Sequence, residues 1–454
     1  MSALWKRAVR WLAVGVLAAR GAVACAETPE VVAEDSGGAG GTERCHFELW
    51  AEGVKVPTSM AWVRVGDDAT GRGGQEVLLV LEQTGQVRAL AREADGKARM
   101  LPVVTKVLVN FKEERGLLGI AVHPDFAKNH WVYLCYTRSE HADRPDGRSD
   151  ITKGQVVERY TLSAEMEGGA VKAVHLGEPK VVLEFPYEPR ENNGPNSCGG
   201  KIVFGPDGKL YGSYGDQNRH GAEINERGGF IHAGVIFRVN DDGSVPADNP
   251  WAKKTDVFLQ RAYAIGIRNC FGLAFDPESG TLWDTENGPD LWDELNVVRP
   301  AFNSGWGYIM GPLTDPSNAD KRRAEVPADK LLGSTYADPV FSWYRCRGLT
   351  CAAFVHTDAY GPAMKDTLLV GEVNGSWLMR FRLNKDRDRV DVTSDALENC
   401  VVRGDAPGEI MANQHEVMFA VKAGTVTDMQ IGGDGLLYAC SWRDGAVYVL
   451  RPGK

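Results

Sequence analysis

The chain has 454 residues, with 51 Lys and Arg against 61 Asp and Glu, and 43% of its residues are hydrophobic. A disordered chain would hold fewer apolar residues, and a polytopic membrane protein would show several apolar runs of roughly 20 residues, so the composition excludes both classes. The net charge of -10, without any block of basic residues, excludes nucleic acid as a partner because binding to phosphate backbones depends on clustered Lys and Arg.

The first 26 residues have the pattern of a signal peptide. Lys6, Arg7 and Arg10 precede an apolar run over 11–19, which is too short to cross a bilayer. We therefore predict an exported protein, located in a periplasm, outside the cell or at the cell envelope.

Two processing routes stay open at the end of this segment. The small residues of 24–26 fit a cleavage site, and Cys25 with the residues before it fits a lipoprotein pattern in which that cysteine carries a lipid anchor. Residues 27–44 include a Gly-rich stretch and predict a flexible tether. The folded domain is predicted over 45–454.

Six segments repeat one pattern of an apolar stretch, a turn and a second apolar stretch. In chain order they are 57–90, 116–136, 201–214, 271–283, 354–383 and 428–442. Asp-Gly pairs between the apolar runs predict hairpin turns in which both central residues have positive φ.

Repeated hairpins at this long period indicate blades, so we predict an all-β fold, a six-bladed β-propeller. A propeller leaves no free edge if its ring closes, and a strand at about 47–50 is predicted to join the last blade with 428–450. A pair of β-sandwiches is the alternative fold.

Eight cysteines remain besides Cys25, and an even number in an oxidising compartment indicates disulfides. Cys346 and Cys351 are predicted to pair because their bridge would close the short loop 347–350. A zinc site is the competing interpretation, but this C-x4-C spacing has no matching second pair. The remaining connectivity stays open.

Several motifs are more specific than the repeat. They are ERGLLGIAVHPDF at 114–126, GKIVFGPDGKLY at 200–211, GDQ at 215–217, GIRN at 266–269, ENGP at 286–289, DELN at 293–296 and NSGW at 303–306. Together and in this order they resemble the soluble pyrroloquinoline quinone (PQQ)-dependent glucose and aldose sugar dehydrogenases, whose relatives include Hedgehog-interacting protein. The resemblance covers about 47–452 and implies the same propeller fold.

The resemblance also implies a chemistry, in which a sugar hydroxyl is oxidised by hydride transfer to PQQ. A calcium ion, which prefers oxygen ligands, would be held by the backbone carbonyls of Gly288 and Pro289. Arg268 and Asn269 match residues of the family that contact the cofactor. Asp216 matches the acidic residue that orients the catalytic base.

This chain departs from the family at several positions, among them Ile267 in place of a histidine beside Arg268. Ser197 stands where the family has its catalytic histidine, and a serine without a partner is a poor base near neutral pH. Thr425 and Thr427 replace two arginines that hold the carboxylates of the cofactor, and Glu114 replaces a glutamine that contacts it. His220 is either a substitute base or a surface loop residue.

Two functional hypotheses follow from these residues. The first is a PQQ-dependent sugar dehydrogenase with an unknown electron acceptor. The second is a catalytically silent propeller that binds a glycan, calcium or a protein partner on its central face, where the motif loops are predicted to converge. Glu286, Asp290 and Asp293 either bind calcium or solvate a loop.

Overall fold

A computed structural model describes residues 28–32, 45–67, 73–139, 152–186, 196–217, 233–315 and 332–453. The regular structure of these residues is almost entirely β-strand, so the predicted all-β class is confirmed. The described helices are short: α1 (Phe126–Asn129), α2 (Val257–Arg261), α3 (Pro407–Asn413) and two 3₁₀ turns, Asp395–Leu397 and His415–Val417. No helix in this part of the chain has the length and apolar character needed to cross a membrane. The predicted signal peptide and Cys25 lie outside the described residues.

The strands of the first half are β1 (Glu30–Val31), β2 (His46–Glu52), β3 (Pro57–Asp67), β4 (Gly73–Glu82), β5 (Gln86–Arg92), β6 (Ala98–Met100), β7 (Thr105–Lys106), β8 (Leu117–Val122), β9 (Trp131–Ser139), β10 (Thr152–Glu167), β11 (Ala170–Leu176), β12 (Lys180–Pro186), β13 (Gly199–Phe204), β14 (Leu210–Tyr214) and β15 (Val235–Val239). Those of the second half are β16 (Ala262–Ile265), β17 (Cys270–Phe275), β18 (Leu282–Glu286), β19 (Leu291–Val298), β20 (Phe302–Asn303), β21 (Thr335–Tyr336), β22 (Phe341–Arg345), β23 (Leu349–Phe354), β24 (Leu368–Glu372), β25 (Leu378–Phe381), β26 (Val401–Val402), β27 (Met418–Val421), β28 (Val426–Ile431), β29 (Leu437–Ser441) and β30 (Ala446–Arg451).

These strands form six sheets, numbered here by the chain order of the hairpin that opens each strand order below, and the strand written first in each order is called its first strand. Their strand orders are β3-β4-β5-β6 with β7 on β5, β8-β9-β10-β11 with β12 on β10, β13-β14-β15-β16-β20-β21, β17-β18-β19-β22-β26, β23-β24-β25-β27-β1 and β28-β29-β30-β2. The first two strands of each sheet form an antiparallel hairpin, which confirms the six hairpins predicted from the repeat.

The six sheets follow one another in a cycle. Each first strand contacts the first strand of the next sheet, and β28 of the sixth sheet contacts β3 of the first. An apolar cluster lies between every neighbouring pair of sheets, including the sixth and the first. Each sheet is therefore buried on two faces by two different neighbours, which the alternative of paired β-sandwiches does not provide.

All six hairpins share one irregularity at the start of the first strand. The pairing register shifts there in every sheet, between Pro57 and Ser59, Leu117 and Gly119, Gly199 and Ile202, Cys270 and Gly272, Leu349 and Cys351, and Val426 and Asp428. Such a bulge bends the strand and redirects its side chains. At three bulges a threonine hydroxyl donates to the carbonyl of the residue that begins the next sheet: Thr58 to Leu117, Thr350 to Val426 and Thr427 to Pro57.

Close packing of first strands also explains a glycine in the second sheet. A Cβ atom on Gly119 would lie 2.1 Å from the carbonyl oxygen of Gly200 in the third sheet. No side chain fits this approach, so glycine is required there.

The Asp-Gly turns differ from the prediction in one detail. Gly208 has a φ of 70° and Gly435 a φ of 78°, while Asp207 and Asp434 do not have positive φ. The Asp207 carboxylate accepts a hydrogen bond from the backbone N–H of Lys209 at 3.1 Å, and the Gly208 N–H donates to the carbonyl of Gly205. The aspartate thus stabilises a four-residue turn in which only the glycine adopts the left-handed conformation.

The predicted pairing of an N-terminal strand with the last sheet is confirmed by β2. This strand pairs antiparallel with β30, with Phe47 opposite Leu450, so an N-terminal strand completes the C-terminal sheet. The predicted tether is not wholly unpaired, because Glu30–Val31 within it pairs with β27 in the fifth sheet. An edge strand offers free N–H and C=O groups, which explains how so short a segment is held.

Removing the buried ring of Phe47 tests this closure. Phe47 is 4% exposed and its ring centroid lies 6.5 Å from that of Phe419. We expect Phe47→Ala to lower the free energy of unfolding by about 3–5 kcal/mol, measured by urea denaturation. Leu49 on the same strand is 45% exposed, and Leu49→Ala should change stability by less than about 0.5 kcal/mol. Equal effects of the two variants would contradict the closure.

The predicted disulfide between Cys346 and Cys351 is wrong, since both thiols are unbridged. Cys351 lies in β23 and its Sγ is 3.3 Å from the carbonyl oxygen of Val426 in the next sheet. Cys346 instead interacts with the carboxylate of Asp293. Burial raises the pKa of this thiol, and the negative charge of Asp293 raises it further. The two side chains therefore have different neighbours although the loop between them is short.

Candidate functional site

The predicted site residues lie at one edge of the sheets. In each antiparallel hairpin the start of the first strand faces the end of the second, as for Gly199 with Tyr214, Cys270 with Glu286 and Leu349 with Glu372. The residues just before the first strands and just after the second strands therefore share one side of the molecule. We call this side the site face and define it by Glu114, Ser197, Arg268, Gly288 and Arg347.

Glu114 connects three sheets at the site face. Its Oε2 atom accepts hydrogen bonds from the backbone N–H of Ser197 at 2.8 Å and from Nδ2 of Asn269 at 3.2 Å. The Oδ1 atom of Asn269 accepts in turn from the N–H of Gly199 at 3.1 Å. The predicted meeting of these loops is confirmed by these direct contacts.

The electrostatic surroundings of Glu114 are mixed. Burial raises the pKa of its carboxyl group, while the Ser197 N–H and the positive charge of Arg268 lower it and the negative charge of Asp216 raises it further. Burial outweighs the donors, so the net shift favours the protonated form.

Ser197 lies beside this carboxylate in an uncommon backbone conformation. Its φ of 55° is in the left-handed region, and its carbonyl accepts from the N–H of Gln217 at 3.3 Å. A bulky β-branched side chain would be strained at this φ, whereas histidine is tolerated there more often. The loop could therefore hold a histidine, but this chain carries serine.

Arg268 is the central cation of the site face. Its Nη1 atom donates to the carbonyl oxygens of Asn287 at 2.7 Å and Gly288 at 3.0 Å, and its guanidinium lies 5.2 Å from the ring centroid of Trp306. The Nε atom is buried and has no hydrogen-bond partner among the described residues. A buried donor without an acceptor is costly, so the protein alone does not satisfy this guanidinium.

Asp216 forms hydrogen bonds with Trp306 and Arg268. Its Oδ2 atom accepts from Nε1 of Trp306 at 2.8 Å, and its backbone N–H donates to the carbonyl of Arg268 at 2.7 Å. Asp216 is 1% exposed, so in this structure its contacts hold the Trp306 and Arg268 loops together.

The Gly288–Pro289 loop is held by two buried side chains. Asp293 accepts from the N–H groups of Gly288 at 2.9 Å and Gly348 at 2.7 Å, and Asn287 exchanges two hydrogen bonds with the backbone of Leu349. The loop is thereby fixed between the fourth and fifth sheets. The carbonyl of Gly288, one of the predicted calcium ligands, already accepts from Arg268.

The alternative in which acidic residues solvate this loop is wrong for two of the three. Glu286 and Asp293 are fully buried, and only Asp290 is exposed. Glu286 accepts from the N–H of Arg268 at 2.7 Å and from the hydroxyl of Ser304 at 2.7 Å. The oxygens of both buried carboxylates accept hydrogen bonds that hold the loop in place.

Sequence reasoning missed Arg347, a second cation of the site face. It is 5% exposed, donates to Oε2 of Glu372 at 3.0 Å and lies 4.5 Å from the ring centroid of Trp377. Its Nε atom is buried without a hydrogen-bond partner among the described residues. Its place in the repeat could have identified it, because Arg115, Arg268 and Arg347 each stand two residues before a first strand.

Thr425 and Thr427 supply no charge in place of the two family arginines. Thr425 is buried, and its hydroxyl has no hydrogen-bond partner among the described residues. The hydroxyl of Thr427 donates to the carbonyl of Pro57 at 2.8 Å, within the contact between the sixth and first sheets. His220, the possible substitute base, lies outside the described residues.

Another set of metal-type ligands lies far from these loops in the fold. Glu278, His356 and Asp366 come within 4.8 Å of one another by one ligand atom each, and the first two are exposed. They belong to the turn after β17 and the connection after β23, at the opposite edge of the hairpins. They are therefore separate from the site face.

A cycle of sheets built on antiparallel hairpins, with polar loops gathered on one face, is a framework that many enzymes and binding proteins share. The glucose/sorbosone dehydrogenase family model matches residues 72–448. The chain belongs to this family.

Two relatives carry names that describe an activity. The chain is 26% identical to the aldose sugar dehydrogenase YliI of Escherichia coli over 71% of this chain and 73% of that protein. It is 27% identical to quinoprotein glucose dehydrogenase B of Acinetobacter calcoaceticus over 60% of this chain, and this match spans only 52% of that protein.

A solved structure supports the fold. The PQQ-bound form of an aldose sugar dehydrogenase from Streptomyces coelicolor matches with a TM-score of 0.58 and 22% identity, covering 90% of this chain and 98% of that chain. At this identity the likeness concerns the fold alone.

Proposed function

We propose that this protein is an exported, PQQ-dependent sugar dehydrogenase built as a six-bladed β-propeller. The six sheets are its blades, and the cyclic contacts of their first strands together with the shared bulge support this architecture. Family membership supports sugar oxidation, and the names of the relatives support a quinone as oxidant. When bound, the quinone would accept the hydride that leaves the sugar.

The observation that carries the proposal is the pair of unsatisfied arginines. Arg268 and Arg347 each keep a buried Nε–H without an acceptor among the described residues of the site face. PQQ carries carboxylates, and a guanidinium forms strong charge-assisted hydrogen bonds with such groups. The residues present therefore fit the quinone, with these two arginines taking over the anchoring that Thr425 and Thr427 cannot provide.

The described residues offer fewer contacts to a calcium ion than to the quinone. The carbonyl of Gly288 has a second lone pair besides the one that accepts from Arg268, and Pro289 adds its own carbonyl. We propose that these two oxygens would hold Ca²⁺, whose positive charge would polarise the bound quinone.

Reconstitution tests the proposal directly. The purified protein is titrated with PQQ in the presence and absence of Ca²⁺, and dye reduction is then measured over a panel of aldoses. Saturable quinone binding with sugar-dependent dye reduction is the expected result. Absence of both would contradict the proposal.

Substituting Arg268 gives a sharper test of the anchoring. We expect Arg268→Met to weaken quinone binding by about 10–100-fold, because a hydrogen bond to a charged group contributes about 1.5–3 kcal/mol. The dissociation constant is measured by fluorescence or absorbance titration. Arg389→Met is the matched control, since Arg389 is exposed and lies outside the site face. Unchanged affinity in Arg268→Met would exclude this arginine as an anchor.

A silent propeller that binds a glycan, calcium or a protein on the same face is the second candidate. The replacement of both family arginines by uncharged Thr425 and Thr427, one of which serves an inter-sheet contact, favours it. Binding of sugar or calcium without dye reduction in the reconstituted protein would support this candidate.

Export is part of the main proposal. Mass spectrometry of the mature N-terminus distinguishes cleavage near 24–26 from a lipid anchor on Cys25. A mature protein that retains residues 1–26 would contradict export by this signal.

A further inference from the structure

Among the described residues, five that carry a carboxylate form hydrogen bonds with the loops that define the site face, and sugar oxidation needs one proton acceptor. The carboxylates belong to Glu114, Asp216, Glu286, Asp293 and Glu372. Hydride loss from a carbon is coupled to proton loss from its hydroxyl, so a base must lie within hydrogen-bond reach of that hydroxyl. This inference rests on the proposed function.

In three of the five carboxylates, both oxygens accept hydrogen bonds from the protein. Glu286 accepts at both oxygens, from the Arg268 N–H and from Ser304. Asp293 accepts at both oxygens from backbone N–H groups. Glu372 accepts from Arg347 and from the N–H groups of Gly375 and Trp377.

These three side chains are also almost completely hidden, with exposures of 0%. Asp216 is 1% exposed and its Oδ2 atom is held by Trp306. A substrate hydroxyl could reach none of the four without breaking contacts that hold the loops together.

Glu114 differs in both respects. It is only partly buried, and all of its recorded hydrogen bonds within the described residues are accepted by Oε2, from Ser197 and Asn269. One oxygen therefore anchors the carboxylate while Oε1 is left to accept another donor. The anchoring donors come from two different sheets, which fixes the direction of the free oxygen.

The surroundings suit a proton acceptor. Arg268 lies close enough to stabilise the carboxylate form, while burial and Asp216 raise the proton affinity of the group. A base whose pKa is raised toward neutrality takes a proton more readily than an ordinary carboxylate does.

We propose that Glu114 is the proton acceptor of the reaction, in the role that Ser197 cannot perform. In the step, the substrate C–H bond breaks and its hydride passes to the quinone oxidant of the proposed function. The O–H bond of the same carbon breaks, its proton forms a new bond to Glu114 Oε1, and the carbonyl double bond forms. The substrate loses one hydrogen with two electrons as a hydride, and it loses a second hydrogen as a proton. The step therefore balances.

Glu114→Gln tests this role with little change of shape. The glutamine oxygen can still accept from Ser197 and Asn269, but the amide cannot take up a proton. We expect turnover to fall at least about 100-fold while the dissociation constant of PQQ changes less than about threefold. Adding Ser197→His to this variant should restore at least part of the rate, because the loop tolerates histidine at the φ of Ser197.

Glu113→Gln is the matched control, since Glu113 is the exposed neighbour of Glu114 and carries the same charge. It should retain the parental turnover. Turnover of Glu114→Gln within about threefold of the parent would overturn the proposal.

A second readout does not depend on turnover. In protein labelled with ¹³C at glutamate carboxyls, Glu114→Gln identifies the Glu114 resonance, and a sugar is added with and without PQQ. The expected result is a shift with an aldose and none with its 1-deoxy analogue, which lacks the reacting hydroxyl. The same response to both sugars, or none to either, would overturn the proposal. A parent protein that reduces no dye contradicts the proposed function, and the resonance then decides the role of Glu114 separately.

Discussion

Lys201→Met is expected to lower the free energy of unfolding by about 3–5 kcal/mol, because it removes one partner of a buried ion pair. The Nζ atom of Lys201 lies 2.7 Å from Oδ2 of Asp428, and the side chains are 10% and 1% exposed. The same carboxylate oxygen accepts from the hydroxyl of Ser59 at 2.6 Å. Denaturant unfolding monitored by tryptophan fluorescence measures the change.

The position of this pair explains the size of the effect. Lys201 belongs to the third sheet, Asp428 to the sixth and Ser59 to the first, so the contact joins sheets that lie on opposite sides of the cycle. Neighbouring sheets in the cycle pack against each other through apolar clusters. An uncompensated carboxylate at the centre would be surrounded by first strands from which water is largely excluded.

Two variants serve as controls for this prediction. Lys97→Met removes a partner of an exposed ion pair with Asp95, whose side chains are 81% and 56% exposed, and should change stability by less than about 1 kcal/mol. The double variant Lys201→Met with Asp428→Asn should recover part of the loss, since it leaves no unpaired charge. A Lys201→Met variant as stable as Lys97→Met would show that the central pair is not a main contact between the sheets.

The repeated hairpins were predictable because they depend on local patterns. Alternating apolar residues and a turn with glycine specify a hairpin within about 15 residues, as in 201–214. Closure of the ring by Phe47 also followed from the need to remove free edges. The pairing of Glu30–Val31 with β27 was not predictable, because the sequence of an edge-filling strand this short has no period to recognise.

The disulfide between Cys346 and Cys351 failed for a related reason. Spacing alone does not determine where two side chains point, and the bulge between Leu349 and Cys351 directs the second thiol toward Val426. Disulfide geometry requires Cβ atoms that face each other, which sequence separation does not guarantee.

The site was predictable in position more than in detail. Motifs at the starts of first strands marked Glu114, Ser197 and Arg268, and the antiparallel hairpins bring these loops together. Arg347 was missed because its motif differs from that of Arg268, although the two occupy equivalent repeat positions. Comparison of the six strand starts would have revealed it.

The same comparison explains Thr427. Thr58, Thr350 and Thr427 occupy the same bulge position in three sheets, and all three hydroxyls donate to the carbonyl that begins the next sheet. A structural role for Thr427 is therefore visible only after the repeats are aligned by their bulges.

Asp284 is a residue of the fourth sheet whose ionisation is unfavourable in the folded protein. It is fully buried in β18, and the side chain of the nearby Asn296 lowers the pKa of its carboxyl group less than burial raises it. Burial, together with the nearby charge of Glu294, raises the pKa of Asp284 to about 8 from an ordinary value of 3.8. In the folded state this side chain is therefore neutral over a wide range of pH.

Asp284→Asn is consequently expected to stabilise the protein, and more so as the pH rises. Between about pH 4 and pH 8 the unfolded chain carries an ionised Asp284 while the folded protein keeps it protonated, so the contribution of Asp284 to the free energy of unfolding falls with increasing pH by on the order of 1.4 kcal/mol per unit. Asparagine does not titrate and removes this loss. The advantage of the variant in urea denaturation should be small near pH 5 and large near pH 8. Asp95→Asn, at an exposed aspartate, is the control and should show no such growth. An advantage of Asp284→Asn that stays constant or shrinks toward pH 8 would mean that Asp284 is ionised in the folded protein and has a cationic partner there.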